Sequence, residues 1–213
     1  MSMDAGLVGW WRFNEKSGII ANDSSRYRNT GTLIGATLPV WAEKGIKFDG
    51  VNDYVNVGNA ASLNITSAIT IEAWVKRSAT GVQHSIVEKY DLGSINGYLL
   101  RIQSNDKILV GILDASGLTY TSSVATISTG IWYHLVYVFS PGTNKIYING
   151  NLDNSGVQNK VPTAGTTTLK IGASGGNPIT PFNGSIDEVR IYNRALSAAE
   201  IKQNYEATKH KYI

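Results

Sequence analysis

Cysteine is absent from the 213 residues. Disulfide scaffolds, thiolate zinc sites and cysteine nucleophiles are therefore excluded. Charge is scarce as well. Asp, Glu, Lys and Arg make up 16% of the chain, against about a quarter in ordinary domains. The net charge is only +3 and no Lys/Arg run or basic stripe occurs, which argues against nucleic acid as a partner. The basic tail Lys209-His210-Lys211 reads as a solvated end. No stretch approaches the roughly 20 apolar residues of a membrane helix, so no membrane insertion is expected. Met1 to Gly6 lacks the apolar segment of a secretory leader. The chain is thus expected to be either a product made without export or a module of a longer secreted protein.

What the chain does have is glycine, 22 residues of it, and 42% hydrophobic residues, enough for a sizeable core. Gly, Ser, Thr and Asn alternate with β-branched runs, the pattern of strands joined by turns. No linker, repeat or low-complexity tract interrupts residues 5–208, which are expected to form one domain. Leu7 to Phe13 alternates, with Leu7, Trp11 and Phe13 expected on one face. Ile69 to Lys76 places Ile69, Ile71, Ala73 and Val75 on one face. Further strands are expected at 45–48, 54–57, 85–89, 97–103, 107–114, 118–123, 132–139, 145–149, 167–173 and 185–192. Asn149-Gly150 is a hairpin turn signal. Turns about every ten residues point to a sandwich or jelly roll.

One helix stands out. Ser197-Ala198-Ala199-Glu200 is a capping box, in which the serine and the glutamate each satisfy a backbone N–H that the helix leaves unpaired. Leu196 and Ile201 occupy the positions of a hydrophobic staple. Ile201 and Tyr205 supply one apolar face. The helix is expected at about 198–207.

Several ordered motifs carry a family resemblance. They are Gly9-Trp10-Trp11-Arg12-Phe13-Asn14-Glu15, Asp23-Ser24-Ser25 with Asn29-Thr30-Gly31, and Phe48-Asp49-Gly50 with Asp53-Tyr54-Val55. They continue with Ile71-Glu72-Ala73-Trp74-Val75, Gly130-Ile131-Trp132-Tyr133-His134 and Ile146-Tyr147-Ile148-Asn149-Gly150. The last runs from Phe182 through Gly184-Ser185-Ile186-Asp187-Glu188-Val189-Arg190 to Tyr192. Taken in order, they resemble the laminin G-like, concanavalin A-like jelly-roll domains over nearly the whole chain. The resemblance implies an all-β, two-sheet antiparallel sandwich with one short C-terminal helix. It also implies binding to glycans or proteins, often with a structural calcium ion; fold alone does not name the ligand.

Calcium takes six to eight oxygen ligands, and the loop Asn22–Gly31 is rich in them. Asp187 in an alternating strand shares a face with Val189 and Ile191. If that face is inward, its carboxylate needs a cation or several donors. The resemblance pairs the same early loop with this late aspartate. The expected calcium set is Asp23, Asn29 and Asp187 with the carbonyls of Arg28 and Thr30. The alternative is that Asp23 caps a turn and Asp187 accepts backbone N–H groups. Asp49 and Asp53 offer a separate set of carboxylates, although beside Gly50 they read first as turn formers.

Hydrolysis of a glycosidic bond requires two flanking carboxylates. Glucanases of this fold carry Glu-x-Asp-x-(x)-Glu on one strand; here Ser185 stands where the first glutamate belongs, and no catalytic residue is assigned. Glu188 and Arg190 read as an exposed pair. His134, mid-strand, reads as a hydrogen-bonded structural residue, and His84 as a turn residue. Sugar binding uses an aromatic platform with nearby polar groups. Trp41, Trp74, Tyr90, Tyr98 and Tyr120 are candidates, each with core or rim packing as its alternative. The expected protein is a non-catalytic carbohydrate-binding or adhesive module, with a receptor-facing surface protein of a virion, filament or cell envelope as the alternative. Its expected partner is a glycan or a surface protein, outside the cell or on a virion or cell surface.

Overall fold

A computed structural model describes residues 4–91, 96–175 and 180–213. Two antiparallel sheets face each other, eight strands in each. The first contains β1 (Leu7–Trp11), β4 (Val40–Trp41), β5 (Ile46–Asp49), β7 (Ile69–Arg77), β12 (Tyr133–Ser140), β13 (Gly142–Ile148), β14 (Asn151–Gln158) and β16 (Asn183–Tyr192). The second contains β2 (Ile20–Ala21), β3 (Gly31–Ile34), β6 (Tyr54–Gly58), β8 (His84–Asp91), β9 (Asn96–Ile102), β10 (Lys107–Asp114), β11 (Gly117–Thr126) and β15 (Leu169–Ile171). The order is β14-β13-β12-β7-β16-β5-β4 in the first, with β1 also beside β16, and β11-β10-β9-β8-β15-β6-β3-β2 in the second. The chain crosses repeatedly between the sheets, as in a jelly roll, while β8 to β11 and β12 to β14 each run as consecutive neighbours within one sheet.

The alternation of the sequence explains the core. Ile69, Ile71, Ala73 and Val75 of β7 all enter the buried cluster between the sheets, against Leu100, Ile102, Val110 and Ile112. Asn149 turns the β13–β14 hairpin with φ 52°, the left-handed conformation that its dipeptide with glycine favours. β14 itself has mostly polar residues, which is why its pattern carried no strand signal. Its side chains close one edge of the sandwich. The Asp153 carboxylate accepts Val124 N (2.7 Å) and Ala125 N (3.1 Å), and Asn154 donates to the Ser122 carbonyl (2.7 Å). Such bonds blunt exposed strand edges. The buried guanidinium of Arg77 donates to Asp106 (2.5 Å) and to the Ile127 carbonyl, linking the two sheets.

β1 departs from its expected phase. Its pairing with β16 shifts between Leu7 and Gly9. Val8, Trp11 and Phe13 therefore point inward, while Leu7 joins a second cluster on the outer face. A one-residue slip of this kind exchanges the two faces of a strand. His84 also differs from expectation: it opens β8 and is buried, not in a turn.

The C-terminal segment covers the outer face of the first sheet. α1 (Ala198–Thr208) begins at the capping box formed by Ser197 and Glu200. Leu196 and Ile201 pack on Leu7, Val136, Val138 and Tyr192. Asn204 donates to the fully buried Glu72 (3.0 Å). Trp74 donates from Nε1 to Thr208 Oγ1 (2.9 Å). Its ring stacks on Tyr212, with centroids 4.1 Å apart, and on Tyr205 at 5.8 Å. His134 lies 5.3 Å from the Trp74 ring and 5.9 Å from Tyr205. Its backbone N–H donates to Asn149 Oδ1, but its ring Nδ1 has no partner among the described residues. Burial, and then the Arg190 charge, lower its pKa to about 3.

Asp23 is the corresponding anchor at the other end of the chain. Its Oδ1 accepts Trp10 N (2.7 Å) and Ser25 N (2.8 Å), and its Oδ2 accepts Ser25 Oγ (2.7 Å) and Asn29 N (2.7 Å). Asp23→Ala strands three backbone donors and is expected to cost about 2–4 kcal/mol in chemical denaturation. A loss below the error of the measurement would contradict this role. For His134 the depressed pKa means that its stabilising effect is complete above about 6.5 and is lost as pH falls towards 3. The melting temperature of His134→Phe is therefore expected to fall less steeply than that of the parent between pH 6.5 and 5. Parallel curves would remove His134 as the cause.

Candidate functional site

β16 holds one residue more than its partner strand across a short stretch. Asp187 pairs with Trp74 and Arg190 with Glu72, so Glu188 and Val189 oppose Ala73 alone. The extra residue is a β-bulge, with Glu188 at φ 49°. A bulky residue in that region is strained by about 1–3 kcal/mol. The bulge also resets the alternation. Ile186, Val189 and Ile191 face the core, whereas Asp187 is placed outward, bonded to the C-terminal Tyr212. The expectation that Asp187 shares a face with Val189 and Ile191 is thereby corrected: regular alternation does not survive a bulge.

Asp187 and Glu188 line a cleft of about 310 Å³. Its other walls are Arg12, Phe13, Asn14 and Lys16 from the segment after β1, residues 42–45 of the β4–β5 turn, and Lys211. Six non-glycine residues have positive φ among the described residues, and three of them, Phe13 (47°), Lys16 (65°) and Glu188, line this one cleft. Gly45 must be glycine there, because a Cβ would stand 2.2 Å from the Ile186 carbonyl oxygen. Strained backbone gathered around one concavity is a mark of a site rather than of packing alone.

The two carboxylates are held in different states. Asp187 Oδ1 accepts Glu188 N (2.8 Å) and Oδ2 accepts the Tyr212 hydroxyl (2.6 Å). Burial raises its pKa to about 6, and the neighbouring Glu188 charge adds to the rise. Glu188 feels the same burial, but Arg190, Lys211 and Trp10 outweigh it and keep its pKa below the usual value. Its carboxylate accepts Lys211 Nζ (2.6 Å), Trp10 Nε1 (2.7 Å) and Arg190 Nη2 (3.1 Å). The Glu188–Arg190 pair thus exists but is buried rather than exposed, and Lys211 belongs to an ion pair rather than to a solvated tail. A carboxylate pair pushed to opposite sides of its normal range is a pattern of acid–base catalysis. Here, however, every oxygen of both groups already takes a protein donor. Glu43, the third carboxylate of the cleft, is exposed on the turn. Three cations remain available: Arg12, Lys16 and Lys44 make no ion pair among the described residues. Arg12 instead lies 5.0 Å over the Trp10 ring.

The expected calcium set does not come together. Asp23 has its acceptor positions filled by the four donors described above. Asn29 spends its amide on the Val8 carbonyl (2.8 Å) and Ser62 Oγ (2.9 Å), and its carbonyl accepts Trp11 Nε1 (2.9 Å). The Arg28 carbonyl accepts Thr30 N (2.8 Å). Asp187 has separate partners, and among the described residues no group of three or more His, Cys, Asp or Glu is assembled for a metal. The Asp23 loop, closed by its own hydrogen bonds, does not fit calcium.

The aromatic candidates divide. Trp74 and Tyr98 are each 1% exposed, Trp74 within the aromatic stack and Tyr98 in the core with its hydroxyl on the Leu63 carbonyl. Tyr90 is buried too. These three cannot stack on a ligand as they stand. Tyr120 is exposed on edge strand β11, away from the residues that line the cleft. Trp41 is half-buried, 6.5 Å from Phe13, with its Nε1 on the Gly18 carbonyl. Sequence reasoning missed Arg12, Lys16, Lys44 and Lys211. Nothing in their spacing marks them, since three separate segments bring them together.

Known proteins were compared with this chain by sequence and by fold. Over an alignment 155 positions long that covers 63% of this chain, the sequence is 26% identical to rat (Rattus norvegicus) Sushi, von Willebrand factor type A, EGF and pentraxin domain-containing protein 1, of which it covers 4%. The binding domain of Paraclostridial Mosquitocidal Protein 1 superposes with a TM-score of 0.74 at 18% identity, over 97% of this chain and 53% of that one. Domain 4 of AbnA, a GH43 extracellular arabinanase from Geobacillus stearothermophilus, in complex with arabinotriose, gives 0.71 at 20% identity, over 93% of this chain and 98% of that one. The chain thus spans about half of the first of these structures and a small part of the rat protein. At such identities the structural likeness is one of fold. Residues 49–202, well over half the chain, match the Laminin_G_3 family model, and the chain belongs to that family of the concanavalin A-like lectin/glucanases superfamily.

Proposed function

We propose that this chain is a non-catalytic glycan-binding module whose ligand occupies the cleft at the β16 bulge. The observation that carries the proposal is the division of charge in that cleft. Its buried carboxylates are saturated by protein donors, while Arg12, Lys16 and Lys44 stand on its walls with no ion pair among the described residues. Such a site can donate hydrogen bonds to hydroxyl and carboxylate groups, and its two buried carboxylates are engaged by protein donors rather than free to move a proton. It suits a sugar that carries negative charge better than a neutral one, because an ammonium or guanidinium bonds an anionic acceptor more strongly than a neutral hydroxyl. The likeness of fold to an arabinanase domain complexed with arabinotriose, matched over 98% of that domain, supports a saccharide as the ligand. A module of this kind works outside the cell or on a surface, where glycans are displayed.

A glycan array with matched neutral and acidic oligosaccharides tests the proposal. Binding is expected on the acidic members and should weaken as salt rises, since exposed charges are screened. Arg12→Ala and Lys44→Ala are each expected to weaken affinity by about tenfold, the value of one charge-assisted bond, with the melting temperature unchanged. No release of reducing sugar is expected from any bound glycan. An array without signal, or binding indifferent to both substitutions, would refute this site.

A further inference from the structure

The geometry points to a second subsite on the outer face of the first sheet, where Lys44, Lys47 and Lys76 receive the next acidic unit of the oligosaccharide held in the cleft. The inference rests on the proposed glycan reading of that cleft and extends it to a ligand with acidic groups on two successive units.

Residues 42–44 of the β4–β5 turn form a shared wall. On one side they line the cleft at the β16 bulge, and on the other a second concavity of about 310 Å³. Lys76, Gly130, Trp132 and Ser185 complete the second one. It opens where the C-terminal cover stops. Glu72, Trp74 and Lys76 alternate onto the outer face of β7. Asn204 bonds Glu72, and Tyr205 and Tyr212 stack on Trp74. Lys76 comes next on that face and borders the concavity instead, its ammonium 5.4 Å over the Trp132 ring. The Trp132 ring packs in turn on Tyr212, with centroids 5.0 Å apart. The segment that anchors Asp187 thus also sets where Lys76 stands.

Strand register adds another cation. Ser185 of β16 pairs with Lys76 of β7 on one side and with Lys47 of β5 on the other. Side chains in register share a face, so two lysines flank the serine on three neighbouring strands, their backbones about 10 Å apart. Lys44 stands on the adjoining turn. None of the three lysines is in an ion pair among the described residues. The exposed Glu43, on the shared turn, opposes only part of their charge. Like charges gathered on one face repel each other, and an anionic ligand relieves that repulsion. The occupant follows from continuity. Lys44 belongs to both concavities, so a saccharide held by Arg12 and Lys16 in the first reaches the second by crossing one turn.

The test is an array of acidic oligosaccharides in matched pairs of equal length, with one acidic unit or two in succession, read with the full chain and its variants. The two-acid member is expected to bind about tenfold more tightly, the value of one further charge-assisted bond. Lys76→Ala and Lys47→Ala, the latter at an exposed position that does not threaten folding, should each reduce that gain and leave the one-acid member unaffected. Lys76→Arg should retain it, since a guanidinium keeps both the charge and the contact with the Trp132 ring. Arg12→Ala should weaken both members alike, which judges the cleft separately. Equal affinity for the two members in the parent would overturn the second subsite and leave the cleft standing. So would a gain indifferent to Lys76→Ala and Lys47→Ala. An array without any signal would overturn both readings.

Discussion

The extra residue at Glu188 makes β16 change partner along one edge. β5 pairs with its first half and β1 with its second. The same residue turns Asp187 and Glu188 outward together, which regular alternation forbids. Two adjacent carboxylates on an outer face can stay buried only under a cover that brings donors. That cover is the C-terminal segment, which supplies Tyr212 and Lys211, with Trp10 from β1 and Arg190 from β16 itself. The strain at one residue, the docking of the last turn and the formation of the cleft are one linked arrangement.

The aromatic stack under α1 serves the same end. Trp74, Tyr205 and Tyr212 pack ring on ring, which places Tyr212 where its hydroxyl meets Asp187. His134 fills the space beside them as a neutral ring. Apolar burial supplies the binding of the helix, and the polar contacts set its position. Glu72 and Asn204 show this division, since a buried carboxylate tolerates only a partner placed to bond it.

Charge separates binding from catalysis in the cleft. An acid–base pair needs one group free to give a proton and another free to take it. Asp187 and Glu188 differ in proton affinity, but both are engaged as hydrogen-bond acceptors. Among the described residues the cations Arg12, Lys16 and Lys44, with the exposed Glu43, face the cleft without an ion pair. In the proposed reading these cations hold the ligand. The fold permits either outcome; the local wiring of these side chains decides.

Much of the fold was legible in the chain. The period-two pattern of Ile69 to Val75, the Asn149-Gly150 turn and the capping box at Ser197 each act through neighbours in sequence, so local spacing reveals them. β14 escaped because its residues are mostly polar, and the phase of β1 escaped because a bulge leaves no mark in composition. The site was less legible for the same reason. Asp187 and Glu188 were recognisable as charged residues of a strand, but their direction depends on a backbone conformation that β7 imposes. Asp23 was expected as a calcium ligand, with a turn cap as the alternative. That its carboxylate accepts the N–H groups of Trp10, Ser25 and Asn29 follows only from the loop closing over it. Sequence by itself determined which residues form strands and which faces seek burial, because those are properties of neighbouring side chains. Tertiary structure alone decided which charges are neutralised and which are left over, because the partners come from opposite ends of the chain.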